Sequence, residues 1–394
     1  MIIKNVKAFV ENKTFVNSEI MIDEGRITNV SQGACTQTTS SPPPFEMDQT
    51  IDGNGCYAIP GLIDLHFHGC KGFDLCDGTS DSIAEIAKYE ASVGVMGICP
   101  ATMTLPVDEL IYILCAAASY RERAGRSNAR EADLLGINME GPFISAEKKG
   151  AQDARHIISC DTHTCRQFLE ASRGLVAFIG VAPERNENAL AFIREMKQSV
   201  HISLAHTNAD YDTAMAAFGA GADHVVHLYN AMPAFSHRQP GVVGAVADSP
   251  HVTAELICDG VHIHPSVVRA TFRMLGDDRI VLISDSMRAT GMPDGRYMLG
   301  GLEVKVTGNR AELVSDGALA GSATNLMDCM RTAVKEMDIP LASAVACASM
   351  NPAKALGVFE DYGSITAGKK ANIVLLDADL SIKMIIKDGV VIAS

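Results

Sequence analysis

The sequence predicts an α/β protein in which a (β/α)8 TIM barrel carries a small β-sandwich domain formed by the N- and C-terminal segments. Through the middle of the chain, short apolar runs alternate with stretches of helical periodicity, which is the pattern of parallel βα units. Eight such runs fit into roughly 300 residues, within the usual length of a (β/α)8 barrel. Both chain ends instead show short strands of alternating polarity around turn sequences.

A length of 394 residues exceeds the usual size of a single hydrophobic core, so we expect one large and one smaller domain. The pattern indicates a barrel over residues 59–359 and a β domain formed by residues 1–58 and 360–394. Within the β domain, Asp23-Glu24-Gly25 has the composition of a hairpin turn. The Thr/Ser/Pro tract Thr36–Pro44 predicts a loop.

A barrel would place reactive residues directly after its strands, at the carboxyl face. A doubly wound sheet is the structural alternative, but no Gly-x-Gly-x-x-Gly motif opens a helix here. The predicted barrel strands are Leu62–Phe67, Met96–Met103, Leu134–Met139, Val176–Val181, His201–Ala205, His224–Val226, Val252–Ile257 and Ile280–Ile283.

The composition excludes several classes of protein. Hydrophobic residues make up 47% and charged residues 20%, as in a globular enzyme and unlike a disordered chain. The net charge of −14, without a basic stripe, speaks against a nucleic-acid partner, because phosphates need clustered Lys and Arg. The 11 scattered cysteines favour reduced thiols. The sequence shows no signal-peptide core and no apolar run of membrane-spanning length, so we expect a cytoplasmic protein without a membrane partner.

Two histidines separated by one residue, His66 and His68, close the first predicted barrel strand. In an extended chain alternate side chains point the same way, so both imidazoles leave the strand on one side. Two converging neutral imidazoles are half of a divalent-metal site. A strand end with two exposed histidines is the alternative, and residues farther along the chain decide between them.

Four further chemistry-bearing residues stand at the ends of other predicted strands. Glu140 follows the third run, His206 the fifth, His227 the sixth and Asp285 the eighth. Each alone would be unremarkable, since a carboxylate or imidazole at a strand end is often a cap. Together with His66 and His68, they predict one metal centre at the carboxyl face of the barrel. The remaining histidines, His224 among them, have no role that the sequence assigns.

Around these residues the chain resembles the amidohydrolase superfamily and, within it, the N-acetylglucosamine-6-phosphate deacetylase family. The histidine-x-histidine strand is common to amidohydrolases, whereas the Glu-Gly-Pro and His-Leu-Tyr-Asn-Ala-Met segments are specific to the deacetylases. The segments that carry the resemblance are Pro60–Gly69, Met139–Phe143, His206–Ala209, His227–Pro233, Asp259–His262, Ser284-Asp285 and Gly368–Val374.

The resemblance implies a metal-dependent amide hydrolase. Glu140, His206 and His227 would hold one divalent metal ion, and Glu140 would bridge to a second ion held by His66 and His68. One or two ions per subunit are expected, with Zn²⁺ or Fe²⁺ best suited to imidazole and carboxylate ligands. Asp285 would act as general base and then general acid; a structural carboxylate or a plain metal ligand is the alternative.

The resemblance also implies substrate contacts. Asn230 and Ala231, Arg238 and His262 would hold the sugar phosphate, with Arg238 reaching the site of a neighbouring subunit in a homodimer. A solvated Arg238 and a capping His262 are the alternatives. Gln152 stands where many relatives carry histidine; it would contact the sugar but cannot titrate. A turn predicted to line the acetyl pocket comprises Ala320, Gly321 and Ser322.

The activity implied is hydrolysis of N-acetyl-D-glucosamine 6-phosphate to D-glucosamine 6-phosphate and acetate, a step of amino-sugar catabolism. The alternatives are the galactosamine epimer, another cyclic-amide amidohydrolase, and a catalytically inactive scaffold. Cyclic-amide hydrolases use a carboxylated lysine as bridging ligand, whereas the third strand here ends in Glu140. An inactive scaffold would be expected to have lost metal ligands.

Overall fold

The structure is a computed structural model that describes residues 1–32, 49–124, 130–185 and 188–393. The predicted loop Thr36–Pro44 lies outside these ranges. The strands before the barrel core are β1 (Ile2–Val10), β2 (Thr14–Asp23), β3 (Arg26–Gln32), β4 (Thr50–Asp52) and β5 (Tyr57–Pro60). The strands of the middle of the chain are β6 (Leu62–Asp64), β7 (Gly69–Cys70), β8 (Phe73–Asp74), β9 (Val95–Ile98), β10 (Ala101–Thr102), β11 (Asp133–Leu134), β12 (Ile137–Phe143), β13 (Val176–Val181), β14 (His201–Leu204), β15 (His224–Val225), β16 (Thr253–Ile257) and β17 (Ile280–Ile283).

The last strands are β18 (Gly295–Leu299), β19 (Leu302–Thr307), β20 (Arg310–Leu313), β21 (Ile373–Leu376), β22 (Ile382–Lys387) and β23 (Val390–Ala393). The α-helices are α1 (Ser80–Ser92), α2 (Val107–Ala124), α3 (Thr162–Ala171), α4 (Ala189–Met196), α5 (Tyr211–Ala220), α6 (Gly241–Ala247), α7 (Pro265–Leu275), α8 (Leu326–Lys335), α9 (Leu341–Val345) and α10 (Asn351–Ala355).

The predicted barrel is confirmed. Parallel pairing runs through β6, β9 and β11 in one sheet and through β10 and β12 to β17 in another. The residues that extend β17 pair with those that extend β6, because Asp285 N donates to His66 O at 3.0 Å and His68 N donates to Ser286 O at 2.7 Å. A helix follows each barrel strand, and β12 and β17 are buried along their whole length.

Several helices begin where a polar side chain accepts a backbone N–H group that the first turn leaves unpaired. Asp210 accepts from Thr213 N at the start of α5, and Asn325 accepts from Asp328 N at the start of α8. Gly221 ends α5 with φ at 125°, a backbone conformation that favours glycine. These local signals determine where α5 begins and ends and where α8 begins.

The two chain ends form the predicted small β domain. Strands β3, β2, β1, β5, β21, β22 and β23 follow one another in a single sheet, and β4 pairs with β1. The sheet curls on itself, since Gly25 in the β2–β3 turn reaches the backbone of Asp388 in the β22–β23 turn. Its apolar side chains meet inside as one cluster that includes Ile3, Ile20 and Ile373. The boundaries at 58/59 and 359/360 stay a prediction.

A three-stranded antiparallel sheet, β18 to β20, is inserted between β17 and α8, where the sequence analysis predicted no element. The signal was present: Leu302, Val304 and Val306 alternate with polar residues between Gly300-Gly301 and the turn at Gly308. The sheet packs an apolar face, including Leu299, on Met103 and Met287 of the barrel. It therefore covers one side of the carboxyl face, where the predicted site lies.

Candidate metal centre and substrate cavity

The predicted site residues that close barrel strands meet at the carboxyl face. Glu140 lies within β12, and His206, His227 and Asp285 each stand two positions beyond the last residue of β14, β15 and β17. Because parallel strands of a barrel end on one side, residues far apart in the chain come within contact distance. All six predicted ligand-type residues are buried, including His66 at 0% exposure.

Three of them form a compact group. Glu140 Oε1 lies 2.9 Å from His206 Nε2 and 2.8 Å from His227 Nε2, and the two Nε2 atoms are 3.2 Å apart. One oxygen and two nitrogens of this kind are the usual ligands of a divalent transition metal. The structure thus brings together the three residues predicted to hold the first ion.

The second group stands beside the first. His68 Nε2 lies 3.3 Å from Asp285 Oδ1 and 3.5 Å from Glu140 Oε2, and His66 Nε2 lies 3.4 Å from Glu140 Oε1. The ligand atoms of His66, His68 and Asp285 all lie within 4.8 Å of one another, as do those of His66, Glu140 and His227. Glu140 stands between the two sets: its Oε1 faces His206, His227 and His66, and its Oε2 faces His68.

Hydrogen bonds set the orientation of all four imidazoles. In each ring Nδ1 faces an oxygen that can only accept, so Nδ1 carries the proton and Nε2 is left as a lone-pair donor toward the site. The acceptors are Glu255 Oε2 for His66 (2.7 Å), Ala101 O for His68 (3.3 Å), Lys148 O for His206 (2.8 Å) and Asn230 O for His227 (3.1 Å).

Two buried polar atoms of the site test whether a cation fits. His66 Nε2 and Asp285 Oδ1 are buried and make no hydrogen bond within the described part of the chain. Leaving such atoms unpaired is costly, and a cation among four imidazole nitrogens and two carboxylates would satisfy both. The residues present therefore fit a divalent metal ion, and they do so in two adjacent sets.

Backbone strain concentrates at the same residues. His206, His227 and Asp285 have φ values of 42°, 27° and 49°, in the left-handed region that residues other than glycine avoid. Each such conformation costs on the order of 1–2 kcal/mol. Backbone hydrogen bonds hold the strained carbonyls: Ser145 N donates to His206 O, and Ser322 N donates to Asp285 O at 2.7 Å. This strain aims the side chain that follows each strand into the site.

The histidines hold both carboxyl groups of the site in the ionised form. Burial alone would raise the pKa of Glu140, but the neighbouring His206 and His66 outweigh it and place the pKa well below its usual value. Burial opposes ionisation of Asp285 as well, but the neighbouring His68 and His66 outweigh it and lower its pKa. An ionised Asp285 is the form that a general base requires.

A cavity of about 400 Å³ opens onto the metal centre. Ten residues predicted for the site line it: His68, Glu140, Gln152, His206, His227, Asn230, Ala231, His262, Asp285 and Gly321. Other parts of its wall were not predicted, because no motif singles out their types; these are Met103, Glu147, Lys148, Gly150, Ala151, Leu299, Ala318 and Leu319. Leu299 belongs to the inserted sheet, which forms part of the wall.

Four residues predicted for the site lie elsewhere. His66 is buried behind the lining residues. Ala320 packs in the cluster under the inserted sheet, and the Ser322 hydroxyl donates to Ser284 O at 2.6 Å, so only Gly321 of the predicted turn faces the cavity. Arg238 lies in a second cavity of about 690 Å³, together with Tyr211.

The oxygen and the nitrogen of the Gln152 side-chain amide both form hydrogen bonds within the protein. Its Oε1 accepts from Thr104 N at 2.6 Å, and its Nε2 donates to Glu140 Oε2. Gln152 is almost fully buried. The contact with Glu140 places this residue beside the metal centre, at the oxygen that faces His68.

His262 is held rigidly at the cavity wall by Asp259. The Asp259 carboxylate accepts from His262 Nδ1 at 2.8 Å and from the backbone N of Val261 and His262 at 2.9 Å. Burial opposes the charged imidazole, but Asp259 raises the pKa of His262 above its usual value. An imidazole held at this place can form a hydrogen bond with an anionic or hydroxyl-rich ligand.

The sequence analysis missed Glu255, a fully buried residue in the middle of β16. A signal existed, since a charged residue inside the apolar run Val252–Ile257 needs partners when it is buried. Those partners could be named only from the folded chain.

Among the described helices, none combines the length and the apolar character that a membrane crossing needs.

The chain is similar to known proteins over most of its length. The model of the Amidohydrolase family matches residues 57–392. The N-acetylglucosamine-6-phosphate deacetylase of Bacillus subtilis (strain 168) is 34% identical over 390 residues, which cover 99% of this chain and 96% of the relative. The N-acetylgalactosamine-6-phosphate deacetylase of Escherichia coli O157:H7 is 37% identical over 83% of this chain and 85% of its own length.

Solved structures agree with the fold. A mutant of N-acetyl-D-glucosamine-6-phosphate deacetylase from Mycobacterium smegmatis, in complex with N-acetyl-D-glucosamine-6-phosphate, superposes with a TM-score of 0.89 at 30% identity and covers 100% of this chain and 99% of its own. The N-acetylglucosamine-6-phosphate deacetylase from Thermotoga maritima gives 0.86 at 28% identity, covering 100% of this chain and 99% of its own. The family model and the relatives together show that this chain belongs to the amidohydrolase family.

Proposed function

We propose that this protein hydrolyses N-acetyl-D-glucosamine 6-phosphate to D-glucosamine 6-phosphate and acetate. The observation that carries the proposal is the convergence of four imidazole Nε2 atoms and two carboxylates, Glu140 and Asp285, at the floor of one cavity. The similarity to deacetylases of N-acetylated amino-sugar phosphates over 99% of the chain supports the choice of substrate.

We propose that Glu140, His206 and His227 hold one divalent metal ion and that His66 and His68 hold a second, with Glu140 between them. Zn²⁺ or Fe²⁺ suits this mixture of imidazole and carboxylate ligands. A divalent cation held there supplies Lewis acidity, which lowers the pKa of a coordinated water and polarises a carbonyl oxygen.

Asp285 is the acid–base group of the proposed mechanism. It is ionised and lies next to His68 at the cavity floor. It accepts a proton from the attacking water and returns it to the amine that leaves. No serine or cysteine nucleophile is required. The imidazoles of His66, His68, His206 and His227 serve as neutral donors whose Nδ1–H groups keep their orientation fixed.

The sugar phosphate requires cationic and N–H groups on the cavity wall. We assign this role to His262 and to the loop of Asn230 and Ala231, all of which line the cavity. Gln152 lines the cavity as well and donates to Glu140. Arg238 lies outside this cavity. We therefore propose a homodimer in which Arg238 enters the site of the neighbouring subunit and grips the phosphate with its planar guanidinium.

The galactosamine epimer is the second candidate substrate, because a relative of similar identity is named as an N-acetylgalactosamine-6-phosphate deacetylase. A cyclic-amide hydrolase is disfavoured, since Glu140 stands where such enzymes use a modified lysine. An inactive scaffold is disfavoured, since all six ligand-type residues converge. We place the protein in the cytoplasm, a proposal supported by the free cysteines among the described residues.

The test is acetate release from three sugars: the two epimeric N-acetylhexosamine 6-phosphates and unphosphorylated N-acetylglucosamine. We expect N-acetylglucosamine 6-phosphate to give the highest kcat/KM. For the unphosphorylated sugar, kcat/KM should be at least about 100-fold lower, because two charge-assisted contacts with the phosphate are lost. Equal rates on the unphosphorylated sugar would refute the phosphate assignment. A higher kcat/KM on the galacto epimer would assign the second candidate instead.

A further inference from the structure

Glu255 lies in the middle of β16 with its carboxylate fully buried. Its Oε2 accepts from His66 Nδ1 at 2.7 Å and from the backbone N of His227 at 3.1 Å. Its Oε1 accepts from His224 Nε2 at 3.0 Å and from Asn138 Nδ2 at 3.3 Å. Four donors from three other strands or strand ends therefore converge on a single side chain.

Each of these donors lies close in the chain to a proposed metal ligand or is one. His66 and His227 are ligands of the two sets, and Asn138 stands two residues before Glu140 on β12. The same Asn138 amide also donates to Leu65 O at 3.2 Å, next to His66. Glu255 is thus the shared acceptor that ties the ends of β6, β12 and β15 together.

The carboxylate can only accept hydrogen bonds, and this determines the tautomer of His66. With Nδ1–H donating to Glu255, the lone pair of His66 is at Nε2, the buried atom without a partner that faces Glu140 and Asp285. The ring cannot turn over without losing this hydrogen bond to the buried carboxylate. His224, whose Nδ1 lies 2.6 Å from Thr253 Oγ1, holds the other side of Glu255.

A buried carboxylate is expensive unless it is paired. Within the described ranges no lysine or arginine contacts Glu255, and its hydrogen-bond partners are imidazole, amide and backbone N–H groups. An apolar residue would fill this strand position at lower cost, as the neighbouring Ala254 and Leu256 do. The arrangement is explained by what it does for His66.

We propose that Glu255 is a positioning residue of the metal centre, which keeps His66 in the tautomer that offers Nε2 to the cation. The inference rests on the proposed metal centre and names a residue outside its ligands. Partners of this kind typically contribute 10- to 100-fold to metal affinity. His224 belongs to the same unit, as the group that fixes Glu255 from behind.

The experiment measures Zn²⁺ and Co²⁺ binding to the metal-free protein, by competition with a chromophoric chelator and without sugar. Glu255→Gln keeps the shape of the side chain but replaces one accepting oxygen with a donating NH₂ group. We therefore expect the metal affinity of the set that contains His66 to fall by about 10- to 100-fold. The Co²⁺ visible spectrum of that position should change with it. Glu90→Gln is the matched control, because Glu90 is a fully buried glutamate on α1 without a hydrogen bond to a metal ligand in the described chain. It should bind as the wild type does.

A double-mutant cycle separates positioning from a general loss of structure. In the background His66→Ala, Glu255→Gln has no imidazole to orient, so its effect on metal affinity should shrink to less than about threefold. An effect of Glu255→Gln that is equally large with and without His66 would overturn the proposal. So would wild-type metal affinity and an unchanged Co²⁺ spectrum in the single variant.

Thermal unfolding of the metal-free proteins shows whether the variants are folded. If Glu255→Gln does not fold, Glu255→Asp takes its place: it keeps the charge but withdraws the carboxylate by one methylene, and the same loss and the same cycle are expected. Because these titrations contain no sugar, their outcome is independent of the substrate. A failure to release acetate, with metal affinities as expected, would count against the proposed function alone.

Discussion

The Nε2 atoms of His206 and His227 lie 3.2 Å apart and face the same oxygen of Glu140. Two imidazole nitrogens at this distance repel unless a proton or a cation lies between them. The folded chain holds them there with strained backbone, at φ of 42° and 27°. This strain lowers the stability of the folded chain and keeps the two lone pairs directed at one point, as expected for a preformed metal site.

Replacing one of these ligands should remove the first metal ion. For His206→Ala we expect metal content to fall by about one ion per subunit. We expect the rate of acetate release to fall by more than about 100-fold, which is the upper end of the loss caused by replacing a hydrogen-bond partner of a metal ligand. Elemental analysis and a steady-state assay measure the two effects. His201→Gln serves as control, since His201 is half-exposed and pairs with Asp223 away from the cavity. Full metal content in His206→Ala would remove His206 from the ligand set.

Asp285→Asn should separate chemistry from metal binding at the first set. The amide cannot accept the proton of the attacking water, so we expect kcat to fall by about 10²- to 10⁴-fold. The ion held by Glu140, His206 and His227 should stay, which elemental analysis would detect. Asp316→Asn, on an exposed turn, is the control. A variant with near-normal turnover would exclude Asp285 as the general base.

Arg238 should act across the subunit interface. Arg238→Ala is expected to raise KM for the phosphorylated sugar by about 10- to 100-fold, the loss of one bidentate phosphate contact. The Arg238→Ala protein is then mixed with the Asp285→Asn protein so that subunits exchange. In a mixed dimer, one site has Asp285 from the first variant and Arg238 from the second, and the other site lacks both. Random exchange in a two-fold dimer should then restore about a quarter of the wild-type sites. If mixing restores no activity at low substrate concentration, Arg238 does not act in trans.

The link between the barrel and the β domain should depend on pH. Asp133 on β11 contacts Lys370 Nζ at 2.9 Å and Lys387 Nζ at 3.0 Å. Burial would raise the pKa of Asp133, but Lys387 and Lys370 outweigh it and hold the pKa below its usual value. A lowered folded-state pKa adds stability above the unfolded pKa of about 4, and this stability is lost as pH falls through the folded value.

Asp133→Asn should therefore lower the free energy of unfolding by about 3 kcal/mol at pH 7, because it leaves the buried Lys387 with one partner fewer. The difference from the wild type should narrow as pH falls from the unfolded pKa of about 4 through the lower folded value, at which Asp133 becomes protonated in the folded protein. Thermal unfolding between pH 3 and pH 7 measures the difference. Asp23→Asn, at an exposed turn, should show none. A difference that does not change with pH would mean that the ion pairs are not its source.

The barrel and the ligand-type residues could be predicted because their signals are local. Buried parallel strands are continuous apolar runs, such as Ile280–Ile283, and a His or Glu that ends such a run is visible without coordinates. The inserted sheet was missed, although Leu302–Val306 alternates as an exposed strand does. This sheet stands between the last barrel strand and its helix and interrupts the alternation of strand and helix that predicts the barrel.

Contacts between side chains could not be predicted, because they depend on which strands end side by side. Gln152 was expected to face the sugar, and the fold gives both ends of its amide to Thr104 and Glu140. Glu255 was visible as a charge within an apolar strand, but its hydrogen bond with His66 joins residues 189 positions apart. Only the closed ring of strands brings them together.

The order of the barrel strands and their helices, and the chemical types at the strand ends, follow from the sequence, because periodicity, turns and residue chemistry are properties of short segments. The tertiary structure decided the distances among Glu140, His206 and His227, the tautomer that each imidazole keeps, and the cavity from which Arg238 is excluded. These depend on closing the barrel and on backbone strain at the strand ends, which arise from packing between distant segments and leave no mark in any single stretch of the chain.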